Sequence, residues 1–94
     1  MNYQPYYHPE IFQDIAVIPV NMKERIRRAI ENRLLVDPVN YGLPLRKSLH
    51  GHRKLRVGDY RVIYRIVDNK ILIFKIGHRR DVYPKALPRL SWKS

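Results

Sequence analysis

The sequence predicts an α+β fold: a small, mostly antiparallel β-sheet with a two-helix hairpin on one face, in the order β-α-α-β-β-β. Three observations predict it. The stretch from His52 to Tyr83 holds three runs rich in valine, isoleucine, tyrosine and phenylalanine, residues that suit a pleated, half-buried surface. Short turn signals, Gly58-Asp59 and Asp68-Asn69-Lys70, separate these runs, so neighbours join as a three-stranded meander. Ahead of them, apolar residues recur at helical spacing in two segments bounded by prolines.

The elements follow in order. Tyr3 to His8 is an aromatic run interrupted by Pro5, which cannot donate to a ladder and so marks a short edge strand. Pro9 and Glu10 suit the first turn of a helix, where a missing N–H costs nothing and negative charge meets the dipole. Ile11, Phe12, Ile15 and Ile18 continue that helix and Pro19 closes it. Asn21 with Glu24 reads as a capping-box start for a second helix. Its apolar stripe is Met22, Ile26, Ala29, Ile30 and Leu34, with Lys23, Arg25, Arg27, Arg28 and Arg33 around the remainder as a solvated face; Asp37-Pro38 ends it. Residues 39–51 read as a linker punctuated by Gly42, Pro44 and Gly51. Leu43, Leu45 and Leu49 are expected to pin it to the core while Arg46, Lys47 and His50 face water. The meander runs are residues 53–57, 60–67 and 71–76, the last leading into Gly77-His78-Arg79-Arg80. Tyr83-Pro84 then interrupts, and residues 85–90 suit one helical turn around Pro88; the tail after them carries no usable pattern.

Ninety-four residues fit one domain, 1–94, with a modest core. Without cysteine there are no disulfides or thiolate metal sites, in keeping with a reducing cytoplasm. No apolar run approaches the roughly 20 residues of a membrane span, and the first ten residues lack the pattern of a signal peptide. Nineteen Lys plus Arg against eight Asp plus Glu give a net charge of +11, a strong attraction for phosphates or acidic proteins. No His/Asp/Glu spacing points to a metal site, no glycine-rich phosphate loop is present, and no cofactor is expected.

The element order, the string LRVGDYRVIYRI at residues 55–66 and the ending GHRRDVY at residues 77–83 resemble the RelE branch of the RelE/ParE toxins, the toxin halves of bacterial type II toxin–antitoxin pairs. The likeness takes in the helical hairpin and the DPVNYGLPL segment at residues 37–45. It implies a small α/β toxin that cleaves mRNA in the ribosomal A site and is neutralised by a cognate, acidic, RelB-like antitoxin wrapped around it. It further implies ribosome and mRNA as partners, operator DNA reached through the antitoxin, and no membrane. In the RelE pattern two lysines on the first meander strand, an arginine on the second, a later arginine and a tyrosine carry activity. Lys54, Arg61, Arg79 and Tyr83 match four of these, and His52 stands at the second lysine position. The identity of the base therefore stays open between His52, Lys54 and His78.

Metal-independent RNA cleavage uses the 2′-hydroxyl as nucleophile and needs a base, an acid and cations beside the charge growing on phosphorus. Lys54, Arg56, Arg61 and Arg79 or Arg80 supply cations, and arginine can grip phosphate with two parallel hydrogen bonds. Tyr83 can donate or take a proton, and His52 and His78 titrate nearest neutrality. Arg53, Arg56, Arg80 and Lys47 are the expected RNA-binding cations. A two-residue loop at Asp68-Asn69 puts Arg61 on the face of His78 and Arg80; a three-residue loop puts it with Lys75 and Arg79. Each candidate has a plainer role: Arg61 on a solvated sheet face, His52 as an exposed turn histidine, His78 orienting backbone, Asp81 pairing an arginine, Tyr60 and Tyr64 as packing. Two further functions share the scaffold, a ParE-like gyrase poison and a non-catalytic basic RNA-binding module.

Overall fold

The computed structural model describes residues 3–93. In chain order the strands are β1 (Gln4–Tyr7), β2 (Leu43–Pro44), β3 (Arg53–Val57), β4 (Tyr60–Val67) and β5 (Lys70–His78). The helices are α1 (Ile11–Ala16), α2 (Val20–Ala29) with a π-helical turn at Ile30–Leu34, α3 (Pro38–Tyr41) and α4 (Val82–Ala86). Single 3-10 turns follow at Lys47–Leu49 and Leu87–Arg89. The strands form one sheet in the order β1-β5-β4-β3-β2, with β1 parallel to β5 and every other pair antiparallel.

The predicted meander is present, and the N-terminal run is an edge strand beside β5, where the missing N–H of Pro5 costs the ladder little. The linker differs from expectation. It holds α3 and then β2, a fifth strand paired with β3 through Leu43 opposite Lys54 and Pro44 opposite Arg53. Leu43 therefore lies on the outer edge at 62% exposure and does not pin the linker; Leu49 is buried and Leu45 half-buried, and these two do.

Helix boundaries differ for local reasons. Pro9 and Glu10 sit in a turn before α1, where the Glu10 N–H donates to His8 Nδ1 (3.0 Å) and the Ile11 N–H to the His8 carbonyl (3.0 Å). Pro19 occupies the cap position of α2 and Asn21 lies within its first turn, so no capping box forms; Glu24 instead pairs with Arg27 and Arg28 on the exposed face. Asp37 is a true cap, accepting from the Asn40 N–H (3.3 Å) to open α3. Pro84 does not interrupt: it stands in the first turn of α4, where its lost N–H has no helical acceptor anyway. The tail also packs, with the Trp92 ring edge-on to Phe74 (5.6 Å) and His8 (5.2 Å).

The sheet is buried on both faces at its centre. On the helix side Ile11, Ile18, Ile26, Ala29, Ile30 and Leu34 meet Leu55, Val57, Val62, Tyr64, Ile71, Ile73 and Ile76. On the other side Ile63 meets Leu49, Val82 and Ala86, with Leu45, Tyr83 and Leu90 around them. Two covered faces explain why Val62-Ile63-Tyr64 is continuously apolar rather than alternating. The Tyr64 hydroxyl donates to the Pro38 carbonyl (2.6 Å), tying α3 to the sheet. Tyr64→Phe leaves that carbonyl without its buried donor and is expected to cost about 1–3 kcal/mol, read by urea denaturation; an unchanged midpoint would show that the bond contributes nothing.

Beyond Ile73 the outer edge of β5 has no strand partner among the described residues, and side chains take its place. Asp14 of α1 accepts the Ile76 N–H (3.1 Å) and Arg89 donates to the Phe74 carbonyl (3.0 Å). Asp14 also receives Lys75 Nζ (2.8 Å) and both Arg89 terminal nitrogens (2.7 and 3.0 Å). Burial pushes the Asp14 carboxyl up, but the hydrogen bonds from Arg89, Lys75 and the Ile76 N–H outweigh it and hold the group below its ordinary value.

Candidate active site

The candidate site lies on the sheet face away from α2, where β3 and β4 bring their cations side by side. Leu55 and Val57 point to the helix-side core, so the alternation of a strand sends Lys54 and Arg56 to the opposite face. Arg56 stands directly across from Arg61, and Lys54 across from Ile63.

The β4–β5 turn is the two-residue loop, with Val67 opposite Lys70 and Asp68 at φ +56°. Alone it would place Arg61 with His78 and Arg80. A bulge intervenes: Tyr64 faces Ile73, but Ile63 faces Lys75. The extra residue slips the register by one and turns the far end of β5 over. Arg61 thus stands opposite Gly77, on the face of Lys75 and Arg79. His78 stands opposite Tyr60 on the helix side, its ring 5.5 Å from the Tyr60 ring and its Nδ1 accepting the Arg80 N–H (3.2 Å). The sheet separates His78 from Arg61, and its visible role is to orient backbone.

Arg61 is 9% exposed, with Nη1 donating to the carbonyls of Gly58 and Tyr60 (2.9 Å each). These bonds fix the guanidinium against the β3–β4 turn through one of its three nitrogens. Tyr83, in the first turn of α4, packs on the cluster around Ile63 and lies under Lys54, whose Nζ is 5.6 Å from the ring centroid. Gly77 allows α4 to settle this close, since a Cβ there would meet Val82 Cγ2 at 3.3 Å. Among the described residues Lys54, Arg56 and Arg61 form no ion pair with a carboxylate. Arg79 pairs with Asp59 (3.4 Å) at the rim.

The other expected site residues are dispersed. Arg53 points to the helix side, where it donates to the carbonyls of Val39 (2.6 Å) and Gly42 (3.1 Å) and to the Tyr64 hydroxyl (3.4 Å); it holds α3 and β2 in place rather than facing solvent for RNA. Arg80 and Lys47 are exposed. Asp81 pairs with Lys85 (3.3 Å), not with an arginine. Lys75, on the correct face, is drawn to Asp14.

His52 departs furthest from expectation. It is no exposed turn residue but 7% exposed, its ring edge-on to Phe74 at 4.9 Å, with neither ring nitrogen hydrogen-bonded among the described residues. Burial pushes its pKa below 6.5, Arg65 adds to this, and the nearby backbone of His50 and Leu49 offsets it only in part. The unfolded chain therefore binds a proton more readily, and folding stability falls as pH drops below about 6.5. His52→Leu is expected to flatten that loss in thermal melts between neutral pH and about pH 5; equal pH dependence in both proteins would refute it.

A paired arginine register, a lysine over a tyrosine and this sheet order can be set beside known proteins. The family described as ParE toxin of type II toxin–antitoxin system, parDE, matches residues 6–83. The chain belongs to the RelE/ParE toxin superfamily. This toxin is 41% identical over 73 residues to the RelG toxin of Mycobacterium tuberculosis, covering 76% of this chain and 84% of the relative. It is 33% identical over 73 residues to the RelE toxin of the same organism, covering 76% and 75%. Among solved structures it superposes on the Mycobacterium tuberculosis RelBE2 toxin–antitoxin complex with TM-score 0.78 at 27% identity, covering 84% of this chain and all of that one. A free Escherichia coli RelE mutant gives TM-score 0.74 at 18% identity, covering 96% and 99%, a likeness of fold alone.

Proposed function

We propose that this toxin is a ribosome-dependent endoribonuclease that cuts mRNA in the A site by a metal-independent route. The carrying observation is the Arg56–Arg61 pair beside Lys54 and Tyr83, cations on one face that have no carboxylate partner among the described residues. The 2′-oxygen attacks phosphorus, forming a 2′,3′-cyclic phosphate as the bond to the 5′-oxygen breaks and that oxygen takes a proton. Arg61, anchored by two carbonyls, and Arg56 meet the negative charge that grows on the non-bridging oxygens. Tyr83 and Lys54, whose Nζ lies 5.6 Å from the Tyr83 ring centroid, take the proton from the 2′-hydroxyl and supply one to the 5′-oxygen. Arg79 steadies the adjoining backbone. We assign the acid–base roles to Lys54 and Tyr83, a choice supported by the burial of the His52 ring and by the position of His78 across the sheet from Arg61. Such sparse equipment suits an enzyme whose substrate is aligned by the ribosome. In a translation extract, mRNA should be cut within codons to 2′,3′-cyclic phosphate and 5′-hydroxyl ends; intact mRNA in the presence of folded toxin would sink the reading.

The partner is proposed to be an acidic antitoxin with an amphipathic helix. An apolar groove of about 640 Å³ runs between α1, α2 and β1, and Phe12 at its lip is 79% exposed. Lys23 at its rim suits an acidic residue on the helix that fills it. Phe12→Glu should abolish co-purification with the cognate antitoxin; undiminished recovery would exclude the groove. A gyrase-directed reading is favoured only by the ParE description of the matching family. DNA breaks on expression, with translation intact, would support it instead.

A further inference from the structure

A second concentration of positive charge lies on the other side of the β3–β4 turn. There α2, the π-helical turn and the end of β3 enclose a cleft of about 230 Å³ lined by Arg25, Arg28, Asn32, Arg33, Arg56 and Gly58. Four arginines and one amide line it, with no carboxylate among the lining residues. Among the described residues Arg25, Arg33 and Arg56 have no ion pair, and Arg28 reaches only Glu24, at 3.9 Å, which already holds Arg27. Ordinary solvated helix faces interleave signs, as Glu24, Arg27 and Glu31 do on the neighbouring stripe. Here like charges converge on one concavity, a cost in self-repulsion that an anionic ligand relieves.

The cleft is joined to the candidate active site through a single turn. The Gly58 carbonyl accepts from Arg61 Nη1 at 2.9 Å, while a Cβ on Gly58 would lie 3.4 Å from Arg25 Nη1. Arg61 and Arg25 thus bracket the same residue from the two sides of the sheet's end. Arg56 belongs to both places, as the register partner of Arg61 and as a wall of the cleft. Forked guanidiniums and an amide are the donor set for phosphodiester oxygens.

We propose that this arginine cleft is a second phosphate-binding site, which takes the RNA backbone as the strand leaves Arg61 and rounds the β3–β4 turn. This rests on the ribonuclease reading and extends it: Arg25, Arg28 and Arg33 bind and align, and do no chemistry. They contribute affinity, while rate at saturation stays with Arg56, Arg61, Lys54 and Tyr83.

The test uses the full chain and two readouts. The first is anisotropy of a fluorescent 2′-O-methyl oligoribonucleotide, which lacks the attacking hydroxyl, titrated over a range of salt. The triple variant Arg25→Gln/Arg28→Gln/Arg33→Gln should bind more weakly, and the slope of log affinity against log salt should fall by about one for each phosphate it no longer neutralises. Arg25→Lys/Arg28→Lys/Arg33→Lys, which keeps the charge, should restore most of the slope. The second readout is cleavage in the translation extract, where the Gln variant should raise KM and leave kcat unchanged. Inorganic phosphate competing as well as the oligonucleotide, phosphate for phosphate, would reduce the cleft to a free-anion site and overturn the proposal. So would an unchanged salt slope. Failure of wild-type toxin to cut mRNA would instead strike the ribonuclease reading, since the salt slope is measured without cleavage.

Discussion

Arg61→Ala is expected to lower cleavage of ribosome-bound mRNA by about 10²–10³-fold, the usual loss when one preorganised donor to developing charge is removed. The size follows from where Arg61 sits. It is nearly buried, two carbonyls hold one of its nitrogens, and it faces Arg56 with no carboxylate among the described residues to neutralise it. Such a donor does not reorganise when charge appears on the phosphorus oxygens, so it acts more strongly than a mobile surface cation. Arg61→Lys keeps the charge but loses the fork, and should recover only part of the rate. Because the same side chain bonds the β3–β4 turn, a thermal melt must accompany the kinetics. A rate close to wild type in folded Arg61→Ala would remove this residue from the mechanism. Tyr83→Phe should lower kcat while leaving KM nearly unchanged, since its ring packing persists and only the proton-carrying oxygen is removed.

Asp14→Asn is expected to destabilise the fold by about 3–5 kcal/mol, the range for breaking a buried ion pair from one side. Its side chain is 2% exposed and its partners Lys75 and Arg89 are 13% and 10% exposed, so removing the carboxylate leaves two cations with little water. The mutation also weakens the acceptor for the Ile76 N–H on the strandless edge of β5. The carboxyl is held below its ordinary value of 3.8, so its stabilisation is complete above that pH and lost as pH falls beneath it. Acid unfolding of the wild type should thus include a component that Asp14→Asn lacks. Urea denaturation at neutral pH measures the main effect; a difference under about 1 kcal/mol would show that the triad is dispensable.

The meander was legible because its signals are local. Tyr60 to Val67 and Ile71 to Ile76 are β-formers separated by turn residues, and each run can be recognised without its partner. The helical stripe Ile26, Ala29, Ile30 and Leu34 was legible on the same ground, and all four residues are buried. The Gly58-Asp59 turn was legible as well, while the register that sets Arg56 opposite Arg61 came only with the structure. The π-helical turn carried no comparable signal, and neither did β2, a two-residue strand that exists only because β3 offers it an edge. Asp14 was passed over because its partners lie 61 and 75 residues away along the chain.

His52 and His78 show the limit most directly. Sequence placed both beside basic residues and near the right strands, and residue type made both attractive as acid–base groups. One bulge at Phe74 carried His78 through the sheet, and packing against Phe74 closed His52 off from water. Sequence by itself determined the edge strand, the two helical segments, the three-stranded meander and the excess of positive charge, because propensity, periodicity and turn chemistry act over a few residues. Tertiary structure alone decided which face each β5 side chain occupies, which cations stay free and which are taken by Asp14 or backbone carbonyls. Those outcomes depend on register and burial, and both are set by packing between segments that are distant along the chain.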